Sequence, residues 1–283
     1  MKRGDVVAVT GSAVPRSTLG RFTEARVALG RAGSSLTTRA HLAFVGDHAR
    51  ARDAVWTAVD FTALASALSA LGLAPLRLHS EAADRASYLR RPDLGRRLGA
   101  ASVASLSSAA LTPSGRVALV VADGLSAEAV QTNAVAVIEA LLPHLAARGL
   151  GVKSVCLVEQ GRVGIGDPIG EALGADVVAV LIGERPGLSA ADSLGCYITW
   201  SPRPGTPDSR RNCISNIRAG GLAPEVAAAK IAWLVGEALT RKLTGVELKD
   251  DFATKVSLPD SARSVEAAAK PAGASSPAGT SED

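Results

Sequence analysis

The sequence predicts an α/β fold: a Rossmann-like, mainly parallel sheet with a helical N-terminal part. Two observations carry this. Continuous apolar runs of strand length stand at 116–122 and 175–182, as expected of strands buried on both faces of a sheet. From residue 116 onward such runs alternate with helix-length segments, the pattern of a parallel sheet with helical crossovers.

Residues 1–28 hold Gly11, Pro15 and Gly20 without periodicity and read as an arm. Residues 29–112 read as mainly helical. Thr37 or Thr38 can cap a helix that places Leu42, Val45 and Ala49 on one face, with Trp56 two turns on. A second helix is expected over 61–71 and a strand over 76–79. Pro92 breaks the chain, and Asp93 is expected to cap a third helix reaching about residue 110.

Residues 113–250 read as the α/β domain. After the strand at 116–122 comes the turn Asp123-Gly124-Leu125-Ser126, with Ser126 as N-cap of a long helix ended by Gly149. A strand over 152–158 follows. Asp167 as N-cap and Pro168 at the first helical position open the next helix, which ends at Gly174. Strands over 175–182 and 196–200, a loop with Pro202, Pro204 and Pro207, and a helix from Pro224 to about residue 243 complete the domain. Residues 251–283 are rich in Ala, Ser, Pro and Gly and read as a disordered tail.

Composition narrows the function. Of 283 residues 47% are hydrophobic but only 3% aromatic, so the core must be built from Ala, Leu and Val. The chain is too apolar to be disordered overall. It lacks the stacking platforms of a single-strand nucleic-acid binder, and no nucleic-acid partner is expected. Three scattered cysteines, Cys156, Cys196 and Cys213, form no C-x-x-C and indicate reduced thiols in the cytoplasm. No apolar stretch has the ~20 residues of a membrane span, and the N-terminal apolar run is too short for a secretion signal. The net charge of +4 conceals a basic first hundred residues, with 15 Lys/Arg against 8 Asp/Glu, and a slightly acidic remainder.

Local motifs are sparse. His41 and His48 lie seven apart, not the three or four of a helical metal pair, and no metal site is expected. Arg90, Arg91, Arg96 and Arg97 cluster around Pro92 and read as a solvated helix start. Gly164-Ile165-Gly166-Asp167-Pro168-Ile169-Gly170 approximates a dinucleotide fingerprint, but its third glycine is one residue late. It keeps one alternative in view, a stand-alone Rossmann-type nicotinamide-dependent oxidoreductase. Ligands of open α/β sheets bind beyond the carboxyl ends of the strands. Those ends carry Asp123-Gly124-Leu125-Ser126, Gln160-Gly161-Arg162-Val163 and Gly183-Glu184-Arg185-Pro186-Gly187, with Cys213-Ile214-Ser215-Asn216 after the fourth strand. Together they describe a crevice that holds a large ligand and offers little acid–base equipment.

These loops, with Asp47-His48-Ala49-Arg50-Ala51-Arg52-Asp53-Ala54-Val55 and Tyr88-Leu89-Arg90-Arg91-Pro92-Asp93-Leu94-Gly95-Arg96-Arg97-Leu98, resemble the small (light) subunit of ethanolamine ammonia-lyase in order and spacing. The resemblance spans about residues 29–243. It implies a carbon–nitrogen lyase, inactive as this chain alone, that converts ethanolamine to acetaldehyde and ammonia with adenosylcobalamin. It implies a large catalytic subunit as partner, in a trimer of dimers of large–small pairs, with no catalytic residue on this chain. It also implies cobalamin contact at Val163, Glu184 and Cys213. The sequence has no D-x-H-x-x-G, the motif whose His ligates cobalt in base-off proteins, which agrees with base-on binding. The expected location is the cytoplasm, with packaging in a bacterial microcompartment left open.

Overall fold

The computed structural model describes residues 26–27, 29–108 and 116–252. The arm at 1–28 and the tail at 251–283 thus lie, but for two residues each, outside the described residues. The chain falls into two compact units divided between Phe44 and Val45.

The described part of the first unit holds a small antiparallel hairpin, β1 (Arg31–Ala32) and β2 (Ser35–Leu36), turned by Gly33 at φ +63°. Helix α1 (Thr38–Trp56) starts beyond it, where the Thr37 hydroxyl accepts the Ala40 amide at 3.3 Å. Its sequence-predicted apolar residues do not form a buried stripe: Leu42, Val45 and Trp56 are all exposed.

The second unit is built on six strands: β3 (Ala74–His79), β4 (Val117–Ala122), β5 (Ser154–Glu159), β6 (Val177–Gly183), β7 (Leu194–Trp200) and β8 (Arg211–Ile217). They lie in the order β3-β5-β4-β6-β7-β8. The first four are mutually parallel, and the last two pairings are antiparallel. The fold is therefore mixed α/β with a mainly parallel central sheet. Two expectations are corrected here. The strand after Gly187 runs antiparallel, because the short connection at 184–193 has no room for a helical crossover. The segment Cys213–Asn216 is not a loop but part of edge strand β8. Two reversals make β8 run the same way as β6, so its end returns to the carboxyl edge of the parallel strands.

The remaining helices are α2 (Phe61–Ala70), α3 (Arg85–Arg90), α4 (Ala100–Ser108), α5 (Ala127–Ala146), α6 (Gly166–Ala172) and α7 (Pro224–Arg241). All residues of β4 and β6 are buried, as their unbroken apolar sequences require. One sheet face packs Ala118, Val120, Val178 and Val180 against Leu106, Ile165 and Ile169, from α4, α6 and the turn before α6. Helices α5 and α7 pack on each other and on the strands. Burying one such Leu, Ile or Val side chain contributes about 1.5–3 kcal/mol. The caps follow local chemistry. Asp60 opens α2 by accepting the Thr62 and Ala63 amides, and Ser126 opens α5 by accepting that of Ala129. Among the described residues no helix is long and apolar enough to cross a membrane.

Two predicted caps do other work. Asp93 makes no side-chain cap bond; its carboxylate accepts from Nε and Nη2 of Arg91, and only a short 3-10 turn, Leu94–Arg96, follows. Helix α4 begins later, at Ala100. Asp167 lies inside the first turn of α6, where its buried carboxylate is gripped by Arg211 through two bonds of 2.6 and 2.8 Å. Arg211 also donates to Thr199, to the Thr206 carbonyl and to Asp208, so every guanidinium nitrogen is bonded. This pair ties edge strand β8 to α6.

Candidate functional site

The strand order places the site. The chain goes from β4 outward to β5, then crosses back to β6 on the other side of β4. The loops after β4 and β6 thus diverge, and a crevice opens between them. The structure has a cavity of about 420 Å³ there, lined by Tyr88, Leu125, Arg162, Val163, Glu184, Arg185 and Tyr197 among others.

Its floor is backbone. Gly124 sits at φ +58°, and a Cβ there would strike the Gly183 carbonyl; a Cβ on Gly183 would strike the Ser126 carbonyl. The Leu125 amide donates to the Gly183 carbonyl at 2.8 Å, stitching the turn after β4 to the end of β6. Only glycine permits both the left-handed turn and this approach.

Beneath the floor Asp123 organises the next loop. Its carboxylate accepts the Gln160 and Gly161 amides, both at 2.9 Å, and pairs with Arg85 at 3.5 Å. Burial pushes the Asp123 carboxyl up to about 6, against the opposing pull of those amides and of Arg85. Tyr88 is fully buried, and its hydroxyl donates to the Gly161 carbonyl at 3.0 Å. Burial raises its phenol well above the usual range. The guanidinium carbons of Arg85 and Arg162 lie 4.7 and 4.1 Å from the centre of its ring. Among the described residues each guanidinium keeps one buried nitrogen without a hydrogen-bond partner, Nη2 of Arg85 and Nε of Arg162.

Of the three residues that the resemblance implies, two lie in the cavity wall and the third beside it. Val163 and Glu184 line the cavity. Glu184 Oε2 accepts the Ser193 hydroxyl at 2.5 Å and the Asn216 amide at 3.2 Å, which fixes the carboxylate between β6 and β8. Cys213 is exposed on β8, in register with cavity-lining Tyr197. Partial desolvation by its neighbours raises the Cys213 thiol and the Glu184 charge raises it further, against the opposing pull of Tyr197, for a net rise.

Sequence reasoning did not single out Tyr88, Tyr197 or Arg85. One signal was available: the chain has only two tyrosines, and both line this cavity. Other candidates separate from it. Among the described residues no cluster of His, Cys, Asp and Glu could hold a metal ion. Of the arginine cluster, Arg91, Arg96 and Arg97 pair with Asp93, Asp208 and Glu81. The glycines of the near-fingerprint are used in packing. A Cβ on Gly166 would come within 2.5 Å of Val180, and one on Gly170 would strike Pro202. They serve the contact of α6 with the sheet, which removes the support for a nicotinamide oxidoreductase.

The family model described as ethanolamine ammonia-lyase light chain matches residues 14–249. The chain is 53% identical over 247 residues to the ethanolamine ammonia-lyase small subunit of Bradyrhizobium diazoefficiens, covering 86% of this chain and 94% of the relative. It is 53% identical to that of Azotobacter vinelandii, covering 84% and 88%, and 52% identical to that of Rhodopseudomonas palustris, covering 82% and 89%. A match of this length, spanning every element that builds the crevice, shows that the chain belongs to the ethanolamine ammonia-lyase light-chain family.

Proposed function

We propose that this chain is the small subunit of an adenosylcobalamin-dependent ethanolamine ammonia-lyase and forms one wall of the cobalamin pocket. The observation that supports the cofactor reading is that Val163 and Glu184 line one crevice at the carboxyl edge of the sheet, with Cys213 paired to lining residue Tyr197. The reversal of strand order at that crevice also supports a Rossmann-like reading of the sheet.

The residues present fit the group. A corrinoid is ringed by amide side chains that both donate and accept. Glu184 is held with Oε1 left to accept, while Arg162 and Arg185 donate. Val163 and Cys213 give apolar contact to the macrocycle or its nucleotide tail. A cavity of about 420 Å³ holds only part of so large a molecule, so the rest of the pocket belongs to the large subunit. When bound, adenosylcobalamin supplies the radical chemistry that the side chains of this chain do not. The chain's own part is positional: the Gly124–Gly183 floor, the braced Glu184 and the buried Tyr88 present a preformed wall and exclude water from one side. The base-on form goes with this reading, because the sequence lacks the cobalt-ligating histidine motif. So do a trimer of dimers of large–small pairs and a cytoplasmic location.

The test is co-expression with the large subunit, followed by size-exclusion chromatography and an ethanolamine turnover assay with adenosylcobalamin. A stable complex is expected, with acetaldehyde formed only when both chains are present. Turnover by this chain alone, or failure to form the complex, overturns the proposal.

A further inference from the structure

We infer that Arg162, assisted by Arg185, binds the phosphodiester of the cobalamin nucleotide tail, so that the crevice holds that end of the cofactor; this rests on the cofactor reading above. The charge balance of the cavity points there. Two guanidiniums line it, and among the described residues no carboxylate pairs with either. Glu184 is the one carboxylate of the lining, and one of its oxygens is committed to Ser193 and Asn216. Asp123, the nearest buried carboxylate, is spent on two backbone amides and on Arg85.

Arg162 is also held in place before any ligand arrives. Its backbone amide donates to the Gly95 carbonyl at 2.8 Å, and its Cγ packs where a Cβ on Gly95 would be, 2.7 Å away. Its guanidinium lies over Tyr88, and Nη2 donates to the Tyr88 carbonyl at 3.3 Å. Nε remains buried and unbonded. A planar, preoriented guanidinium suits a phosphate better than a neutral amide. Cobalamin carries one such group, between the corrin side chain and the benzimidazole nucleoside.

The test measures equilibrium binding of three corrinoids to the large–small complex by absorbance: cyanocobalamin, cobinamide phosphate, and cobinamide, which lacks the phosphate. Arg162→Ala is expected to weaken the two phosphate-bearing ligands at least about tenfold, as loss of a charge-assisted bond implies, and to leave cobinamide within about twofold. Arg162→Lys is expected to recover part of the loss, since lysine keeps the charge without the fork. Equal weakening of all three ligands, or of none, overturns the assignment. Should Arg162→Ala fail to fold, exposed Arg185→Ala carries the same comparison, with a smaller, selective loss expected. Inorganic phosphate is expected to compete with cobinamide phosphate; binding that leaves corrinoid affinity untouched would assign the subsite to free phosphate instead. If the wild-type complex binds no corrinoid, the cofactor reading falls too. If it binds all three and ignores both substitutions, only the phosphate assignment falls.

Discussion

Two arginine clusters, one buried and one half-buried, lie in the same unit and have opposite bookkeeping. At the edge strand, Arg211 is 2% exposed and Asp167 4% exposed, and every guanidinium nitrogen is bonded. Under the crevice, Arg85 and Arg162 stack on one tyrosine and each leaves a buried nitrogen unbonded. The first cluster is closed and holds the sheet to a helix. The second is incomplete, and its Arg162 also lines the cavity. A completed network fixes structure, whereas an incomplete one beside a cavity is poised for a partner.

Breaking the closed cluster should have the largest effect. Arg211→Ala leaves Asp167 buried without its counter-charge and is expected to cost about 3–5 kcal/mol, read from urea unfolding of the purified chain. An effect under about 1 kcal/mol would show that the network is dispensable.

The second effect is in pH. The native Asp123 carboxyl titrates near 6, above its ordinary value of 3.8, so the folded chain holds that proton more firmly than the unfolded chain. This favourable contribution is present at low pH and is lost as pH rises from about 4 to about 6, a span of about 3 kcal/mol. Unfolding midpoints measured across pH 4–7 should carry this downward component, and Asp123→Asn should remove it. An identical profile in the variant would refute the assignment.

Gly124→Ala comes third. It forces a side chain into φ +58° and against the Gly183 carbonyl. A cost of about 1–3 kcal/mol is expected, with weaker corrinoid binding in the assembled complex. The smallest effect should come from the open cluster. Arg162→Ala, which removes an arginine with an unbonded nitrogen, should move stability by less than about 1 kcal/mol. A loss as large as that of Arg211→Ala would erase the contrast.

How much of this was legible beforehand follows from the range of each interaction. Buried strands β4 and β6 declare themselves by unbroken apolar sequence, and α5 by Ser126 and Gly149. Strand β8 did not, because Arg-Asn-Cys-Ile-Ser-Asn-Ile has the polarity of a loop and becomes a strand only by pairing with β7. Asp93 and Asp167 look like caps in isolation; Arg91 and Arg211 claim them, the latter from 44 residues away. The candidate site was half visible. Its glycine-rich loops can be read at the strand ends, but the Tyr88–Arg162 stack joins residues 74 apart and depends on the completed fold.

The placement of both tyrosines on one cavity has a practical consequence. Tyr88 is a fully buried member of the lining with its hydroxyl bonded, and Tyr197 is half-buried beside Cys213 on the antiparallel side. Selective isotopic labelling of tyrosine would therefore give a magnetic resonance spectrum with two ring environments, one from each flank of the crevice. Titration of a corrinoid into the complex could be followed from both sides at once, without introducing a single foreign probe.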